Sequence, residues 1–397
     1  MDLSGGQPAT ALVAARSVER RRLIRAALEA DGRTVVAEET GDGATAVRIC
    51  ERVRPTVLVL DPMLPTVSGP AVVEHVMKRC PTPILVVTDF EAAAEGEAAR
   101  DCLAAGAVDV FELSTGHDSF GRDPARALAA AVSLVSRIRV VTQHNGRGRP
   151  HDGHPVSAPQ TGASSPAGNG QPAGNGQPAR TARPARTVPA PFSPSGDGAG
   201  GGHSIIAIGA STGGPAALSA LLNGLPLPPA MPVLVVLHLG QAFHPSLTSW
   251  LRDTTGQRVR PANHGEPISG IRGHVITAPP GRHLEVRGGT LVLTEEPPRH
   301  SCRPSIDILF ESIAREYGPR AAACLLTGMG RDGAAGLLAV RRGGGFTIAQ
   351  DEATSVVYGM PAEAARLDAA QRILPIDQIG PALGGLIPAT TIAGAVR

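Results

Sequence analysis

The sequence predicts an α/β protein: a doubly wound parallel sheet at the N-terminal end, a flexible linker, and a second doubly wound α/β region carrying an inserted β-hairpin. Three observations predict it. Short apolar runs bounded by glycine and proline alternate with amphipathic stretches, the pattern of buried parallel strands separated by helices. Between about Asn145 and Gly202 the composition turns abruptly to Pro, Gly, Ala, Gln and Arg. Beyond that break, three apolar runs each lead into a different member of a Ser/His/Asp set.

The first region, residues 9–140, contains five strand-like runs: Ala11–Ala14, Thr34–Ala37, Thr56–Leu60, Ile84–Val87 and Val108–Phe111. Helical stretches such as Glu19–Ala30 and Ala44–Arg54 fall between them, which makes one doubly wound unit. Residues 141–202 read as a linker, with a Pro-Ala-Gly-Asn-Gly-Gln unit at 166–171 repeated at 172–177. Such a segment buries too little apolar surface to offset its ordering entropy. As a flexible coil of roughly 60 residues it would span about 45 Å r.m.s.. Its basic stretch, Arg180–Arg186, reads as a solvated tether. The last region, 203–397, begins with the runs Ser204–Ala210 and Met231–Leu237 and later contains Ala321–Leu326, with helices such as Pro215–Leu222 and Ser305–Tyr317. Within it, Gly273–Thr294 differs: Val275, Ile276, Leu284, Val286, Leu291 and Leu293 around a Gly288-Gly289 turn predict the inserted hairpin.

At 397 residues the chain is long enough for two or three packed domains, and a hydrophobic share of 42% supplies their cores. Only 3% of residues are aromatic and the net charge is +2 with acids and bases interspersed, which argues against a nucleic-acid partner or steering toward anionic lipid. Cys50, Cys80, Cys102, Cys302 and Cys324 form no C-x-x-C pair and read as thiols of a reducing compartment, without disulfides or a zinc site. Met1–Thr10 is polar, and no apolar run reaches membrane-spanning length. The expectation is a cytoplasmic protein that is not membrane-inserted.

Gly209-Ala210-Ser211-Thr212-Gly213 fits G-x-S-x-G, which places a serine on a sharp strand-to-helix turn with backbone N–H groups nearby. A serine ahead of Gly213-Gly214-Pro215 is equally an ordinary helix cap. The glycines do not form the G-x-G-x-x-G of a dinucleotide site. His238 follows a buried strand, where it is either a general base or a hydrogen-bonded structural histidine. Asp332 either orients that histidine or caps the helix Ala334–Arg341. What joins the three is placement, because all the strand-to-helix loops of a parallel sheet open at its carboxyl edge. Their order, Ser, His, Asp, differs from the Ser, Asp, His order of α/β-hydrolases.

Leu60-Asp61-Pro62-Met63-Leu64-Pro65 through Gly69 resembles the phosphoacceptor loop of response-regulator receiver domains, with Asp61 at the acceptor position and Thr88 at the family's hydroxyl position. Magnesium there requires carboxylates from the first strand-to-helix loop, and Ala14-Ala15-Arg16-Ser17 supplies none. Leu113 stands where the resemblance places a lysine. The expectation is a degenerate receiver whose control is not ordinary phosphorylation. The plainer reading of Asp61 is a solvated strand-end acid paired with Arg16.

The last region resembles the CheB family of chemotaxis protein-glutamate methylesterases. The resemblance rests on Ile208–Pro215, Leu237-His238-Leu239, Arg303-Pro304-Ser305-Ile306-Asp307, Leu325–Gly333, and Ile348–Glu352 with Met360-Pro361. The family's Gln-His-Met-Pro stands here as Leu237-His238-Leu239-Gly240. The resemblance implies Ser211 as nucleophile, His238 as base, Asp332 as its orienter, and Thr212 and Met329 as supports near the oxyanion. It also implies hydrolysis of glutamate γ-methyl esters, and deamidation of glutamines, on the cytoplasmic helices of chemoreceptors, with a histidine kinase or another signalling partner at the receiver. Acyl-serine chemistry calls for no metal or organic cofactor. Two other readings stand beside it: a small-molecule serine esterase and a non-catalytic signalling scaffold.

Overall fold

The computed structural model of the protein describes residues 8–30, 32–89, 93–113, 123–138, 203–240 and 243–386, so the expected linker at 141–202 lies outside the described residues. The N-terminal elements run β1 (Ala9–Ala14), α1 (Val18–Glu29), β2 (Thr34–Thr40), α2 (Gly43–Val53), β3 (Val57–Leu60), α3 (Gly69–Arg79), β4 (Ile84–Thr88), α4 (Ala93–Ala105), β5 (Asp109–Glu112) and α5 (Pro124–Val135). The strands form one parallel sheet in the order β2-β1-β3-β4-β5. Every residue of β3 and β4 is buried, as expected of strands covered on both faces by helices. Helix starts are fixed locally: the Asp42 carboxylate accepts from Thr45 N–H at 2.7 Å and Asp123 from Ala125 N–H at 3.0 Å.

The C-terminal elements run β6 (Ile205–Ala210), α6 (Gly214–Asn223), β7 (Val233–Leu237), α7 (His244–Thr255), β8 (Val259–Pro261), β9 (Val275–Thr277), β10 (His283–Arg287), β11 (Thr290–Thr294), α8 (Ile306–Tyr317), β12 (Ala321–Leu325), α9 (Ala334–Arg342), β13 (Phe346–Gln350), α10 (Met360–Arg366), β14 (Arg372–Leu374) and α11 (Ile376–Gly384). Seven of these strands form a parallel sheet in the order β14-β13-β12-β6-β7-β9-β8. The chain builds outward from β6 in one direction and then, from β12, in the other. The switch between β6 and β12 opens a crevice at the carboxyl edge of the sheet, where open α/β sheets bind ligands. Every residue of β6, β7 and β12 is buried, so the three central strands form a stiff platform under that crevice. On one face Ile205 and Ala207 of β6 share a core with Ile306, Leu309 and Phe310 of α8 and Leu284, Val286 and Leu291 of the hairpin. Each fully buried Leu, Ile or Phe there contributes about 1.5–3 kcal/mol.

The hairpin is shorter than the sequence predicts. Its two arms are β10 and β11, which pair antiparallel across Gly288 and Gly289, both at positive φ (57° and 72°). Val275 and Ile276 belong instead to β9, a parallel strand of the main sheet in register with Val233 and Leu234 of β7. The Pro279-Pro280-Gly281 break separates the two, and alternation alone does not distinguish a hairpin arm from a short sheet strand. Among the described residues, no helix is long and apolar enough to cross a membrane.

Candidate active site at the switch point of the second sheet

Register places Ser211 and His238 side by side. Ala210 of β6 is paired with Leu237 of β7, and each candidate is the next residue; His238 N–H bonds Ala210 O at 3.1 Å. Ser211 is not a helix cap. The N-cap of α6 is Gly213, with no side-chain cap bond, and at φ 74° against Val356 that position accepts only glycine. Ser211 is pinned through its backbone, by its N–H to Thr327 O at 3.0 Å and its carbonyl to Gly214 N–H at 2.6 Å. Its Cβ lies so near Gly328 that a methyl group there would come within 2.6 Å of it, which brings the loop after β12 directly over the serine.

Asp332 lies in that loop and meets His238: Oδ2 is 2.9 Å from Nε2. The carboxylate does not cap its own following helix, whose N-cap is Gly333 at φ 87°. It caps α8 instead, accepting from Ile306 N–H at 2.7 Å and Asp307 N–H at 3.2 Å and from the Ser305 hydroxyl at 2.7 Å. Burial alone would raise its pKa, but the His238 bond and these donors outweigh it and hold the group below the ordinary carboxylate value. Because Asp332 takes the Nε2 proton, Nδ1 carries the free lone pair of the neutral imidazole. Burial works against charging His238, yet the bond to Asp332 and the contact with Cys302, whose Sγ is 3.7 Å from Nδ1, raise its pKa above the usual imidazole value. Among the described residues, Ser211 Oγ has no hydrogen bond to His238; such bonds are often loose before substrate binds.

Thr212 and Met329 flank the serine on the two loops, and among the described residues neither N–H has a hydrogen-bond acceptor. Thr212 O accepts from the Thr327 hydroxyl at 3.0 Å, and the Met329 side chain is 58% exposed. The N-terminal sheet reaches this edge as well. Asp109 of β5, with the N–H of Val110 and of Gly213 directed at it, is pushed by burial up to about 7. The Glu112 carboxylate lies against Gly240, where a Cβ would sit 2.4 Å from it.

Asp61 is not the solvated acid of the plainer reading. It is fully buried, with Oδ2 accepting from Arg20 Nη1 at 3.0 Å and from Arg16 N–H at 3.3 Å and Oδ1 from Met63 N–H at 2.9 Å. Arg16 also bonds Glu95, Arg20 bonds Asp89, and Thr88 Oγ1 donates to Glu95 at 2.7 Å. Two guanidinium groups thus stand among three carboxylates where a receiver would hold a cation. Leu113 packs against the core cluster built on β1 and α1. The sequence reading gave Arg20, Glu95, Ser305 and Cys302 no role at either site, because their partners Asp61, Arg16, Asp332 and His238 are distant in the chain.

Residues 206–383 match the model of the CheB methylesterase family, and residues 12–113 that of the response regulator receiver domain. A protein-glutamate methylesterase/protein-glutamine glutaminase of Anaeromyxobacter dehalogenans is 35% identical over 384 residues, covering 96% of this chain and 98% of its own. The chain belongs to the CheB methylesterase family. A second CheB-type relative, the protein-glutamate methylesterase/protein-glutamine glutaminase of Nitrosospira multiformis, is 34% identical, covering 91% of this chain and 92% of its own. The crystal structure of the Thermotoga maritima CheB methylesterase catalytic domain is 34% identical over 47% of this chain and 99% of its own, with a TM-score of 0.45.

Proposed function

We propose that this protein is a cytoplasmic enzyme that hydrolyses glutamate γ-methyl esters on chemoreceptor cytoplasmic helices, and deamidates glutamines there, through Ser211, His238 and Asp332. The observation that carries the reading is the meeting of the three at one strand edge: Ser211 and His238 on adjacent register positions, and Asp332 bonded to the imidazole. Ser211 Oγ attacks the γ-carbonyl while His238 Nδ1 takes its proton and returns it to the departing methanol or ammonia. Water then repeats the exchange on the acyl-serine and frees the glutamate. The unpaired N–H groups of Thr212 and Met329 are available to the oxyanion. A half-exposed Met329 beside the serine suits a side chain presented on a helix more than a small ester enclosed in a pocket. The test is methanol release from a methylated receptor cytoplasmic region set against hydrolysis of a small fluorogenic ester. Turnover of the small ester alone would overturn the receptor assignment.

His238 acts as base only when neutral, and its pKa is raised. Activity is therefore expected to be low below that pKa and to rise with pH along a limb lying above the ordinary imidazole value of about 6.5. The pH profile of kcat/KM checks this; a limb at or below 6.5 would mean that Asp332 does not hold the imidazolium.

The receiver in this reading is a gate that ordinary phosphorylation does not open, and it answers to a binding partner, a histidine kinase or another signalling protein, at its surface. Arg16 and Arg20 occupy the Asp61 carboxylate, the first strand-to-helix loop brings no carboxylate for magnesium, and Leu113 offers no cation to a transferring phosphoryl group. A small-molecule phosphodonor with magnesium is expected to leave no acid-labile phosphate on Asp61 and no rise in esterase rate. Stoichiometric phosphate with matching activation would refute it.

A further inference from the structure

Of the five cysteines, Cys50, Cys80, Cys102 and Cys324 are buried, whereas Cys302 is partly exposed and lies beside the catalytic-edge histidine. It is held there rigidly. Arg299 and Cys302 exchange both backbone hydrogen bonds, at 3.1 and 2.8 Å, across His300 and Ser301. Both central residues have positive φ (51° and 60°), as a type I′ turn requires. The turn is anchored by Arg299, bonded through both terminal nitrogens to Glu311 at 2.7 Å, and by His300 Nε2, 3.1 Å from Asp307. Cys302 Sγ therefore faces the Nδ1 lone pair of His238 at 3.7 Å, while Asp332 fixes the opposite nitrogen.

That separation is what a bridging metal needs. With zinc-to-nitrogen and zinc-to-sulfur bonds of about 2.05 and 2.3 Å at a tetrahedral angle, the two ligand atoms stand about 3.6 Å apart. Asp332 on the far nitrogen supplies the carboxylate–histidine–metal arrangement that fixes the tautomer and raises ligand basicity. The histidine side chain is 16% exposed, so an ion has access, with water free to complete the coordination sphere. We propose that His238 Nδ1 and Cys302 Sγ form an inhibitory site for a soft divalent metal ion such as Zn2+. Coordination forms a metal–nitrogen and a metal–sulfur bond and releases the thiol proton. Occupied, Nδ1 can no longer accept a proton from Ser211, so esterase activity stops; this consequence rests on the role proposed for His238.

The test uses the full chain and two readouts. Co2+ is added as a spectroscopic probe, and a thiolate-to-cobalt charge-transfer band is expected in the wild type and absent in Cys302→Ser. In parallel, Zn2+ is titrated into the methyl-ester assay, with each protein referred to its own metal-free rate. Inhibition reversed by a chelator is expected. Its midpoint should move in Cys302→Ser by more than the roughly 10- to 100-fold typical of losing a partner outside the coordination sphere. Equal Zn2+ sensitivity of the two proteins, or cobalt bound without the band, would overturn the site. A Cys302-dependent band in a protein with no esterase activity would support the metal site and overturn the catalytic reading instead.

Discussion

Ser211→Ala is expected to lower methanol release from methylated receptor by up to about a million-fold in kcat, because members of a triad act as a unit. The fold should survive. The serine side chain caps no helix, and the alanine keeps the Cβ that packs against Gly328, so stability should stay within about 0.5 kcal/mol of wild type. His238→Ala should match it in activity but not in stability. It strips the buried Asp332 carboxylate of its imidazole partner while Ser305, Ile306 and Asp307 still donate to it, so the loss should fall below the roughly 3–5 kcal/mol of a buried charge left without any partner. Single-turnover methanol release and thermal melting separate the two effects. Wild-type-like turnover by Ser211→Ala would end the assignment of Ser211 as nucleophile.

The parts of this protein that were legible in its sequence are those that local physics dictates. Uninterrupted apolar runs such as Val57–Leu60 and Val233–Leu237 can only be strands buried on both faces, and they delivered both parallel sheets. The carboxyl-edge rule then brought Ser211, His238 and Asp332 to one side without any distance being known. Pairing across the chain was not legible. The expected pairing of Asp61 with Arg16 is present, its Nε 3.6 Å from Oδ2, but nothing local marks Arg20, in an ordinary amphipathic helix, as a second partner, and the expectation of a solvated Asp61 erred because Arg20 was missing from it. Nor does any local pattern reveal that Asp332 caps a helix beginning 26 residues before it. The hairpin erred for a related reason, since β9 draws its hydrogen bonds from β7 and β8, far away in sequence.

Asp332 is expected to show the widest split between activity and stability, because it serves two elements at once. Asp332→Asn keeps the side chain's shape and one oxygen, which on the Oδ1 side still accepts from Asp307 N–H and the Ser305 hydroxyl but leaves Ile306 N–H facing the amide NH2, and it loses the charge that balances the imidazolium. The comparable change in a serine protease triad lowers kcat about 10^4-fold with the geometry intact. Asp332→Ala should lose as much activity and also uncap α8, leaving Ile306 N–H, Asp307 N–H and the Ser305 hydroxyl buried without acceptors. A lost cap costs about 0.5–2 kcal/mol, and each stranded buried donor about 1–3 kcal/mol, so the alanine variant should melt well below the asparagine variant. The carboxylate's contribution has a defined pH sense. Its folded pKa is depressed, so its stabilisation is present above the unfolded value of about 3.9 and is lost as pH falls through the folded value. The gap in melting temperature between wild type and Asp332→Ala should therefore narrow in acid. Equal melting of the alanine and asparagine variants, with full activity in both, would show that neither the cap nor the histidine depends on this residue.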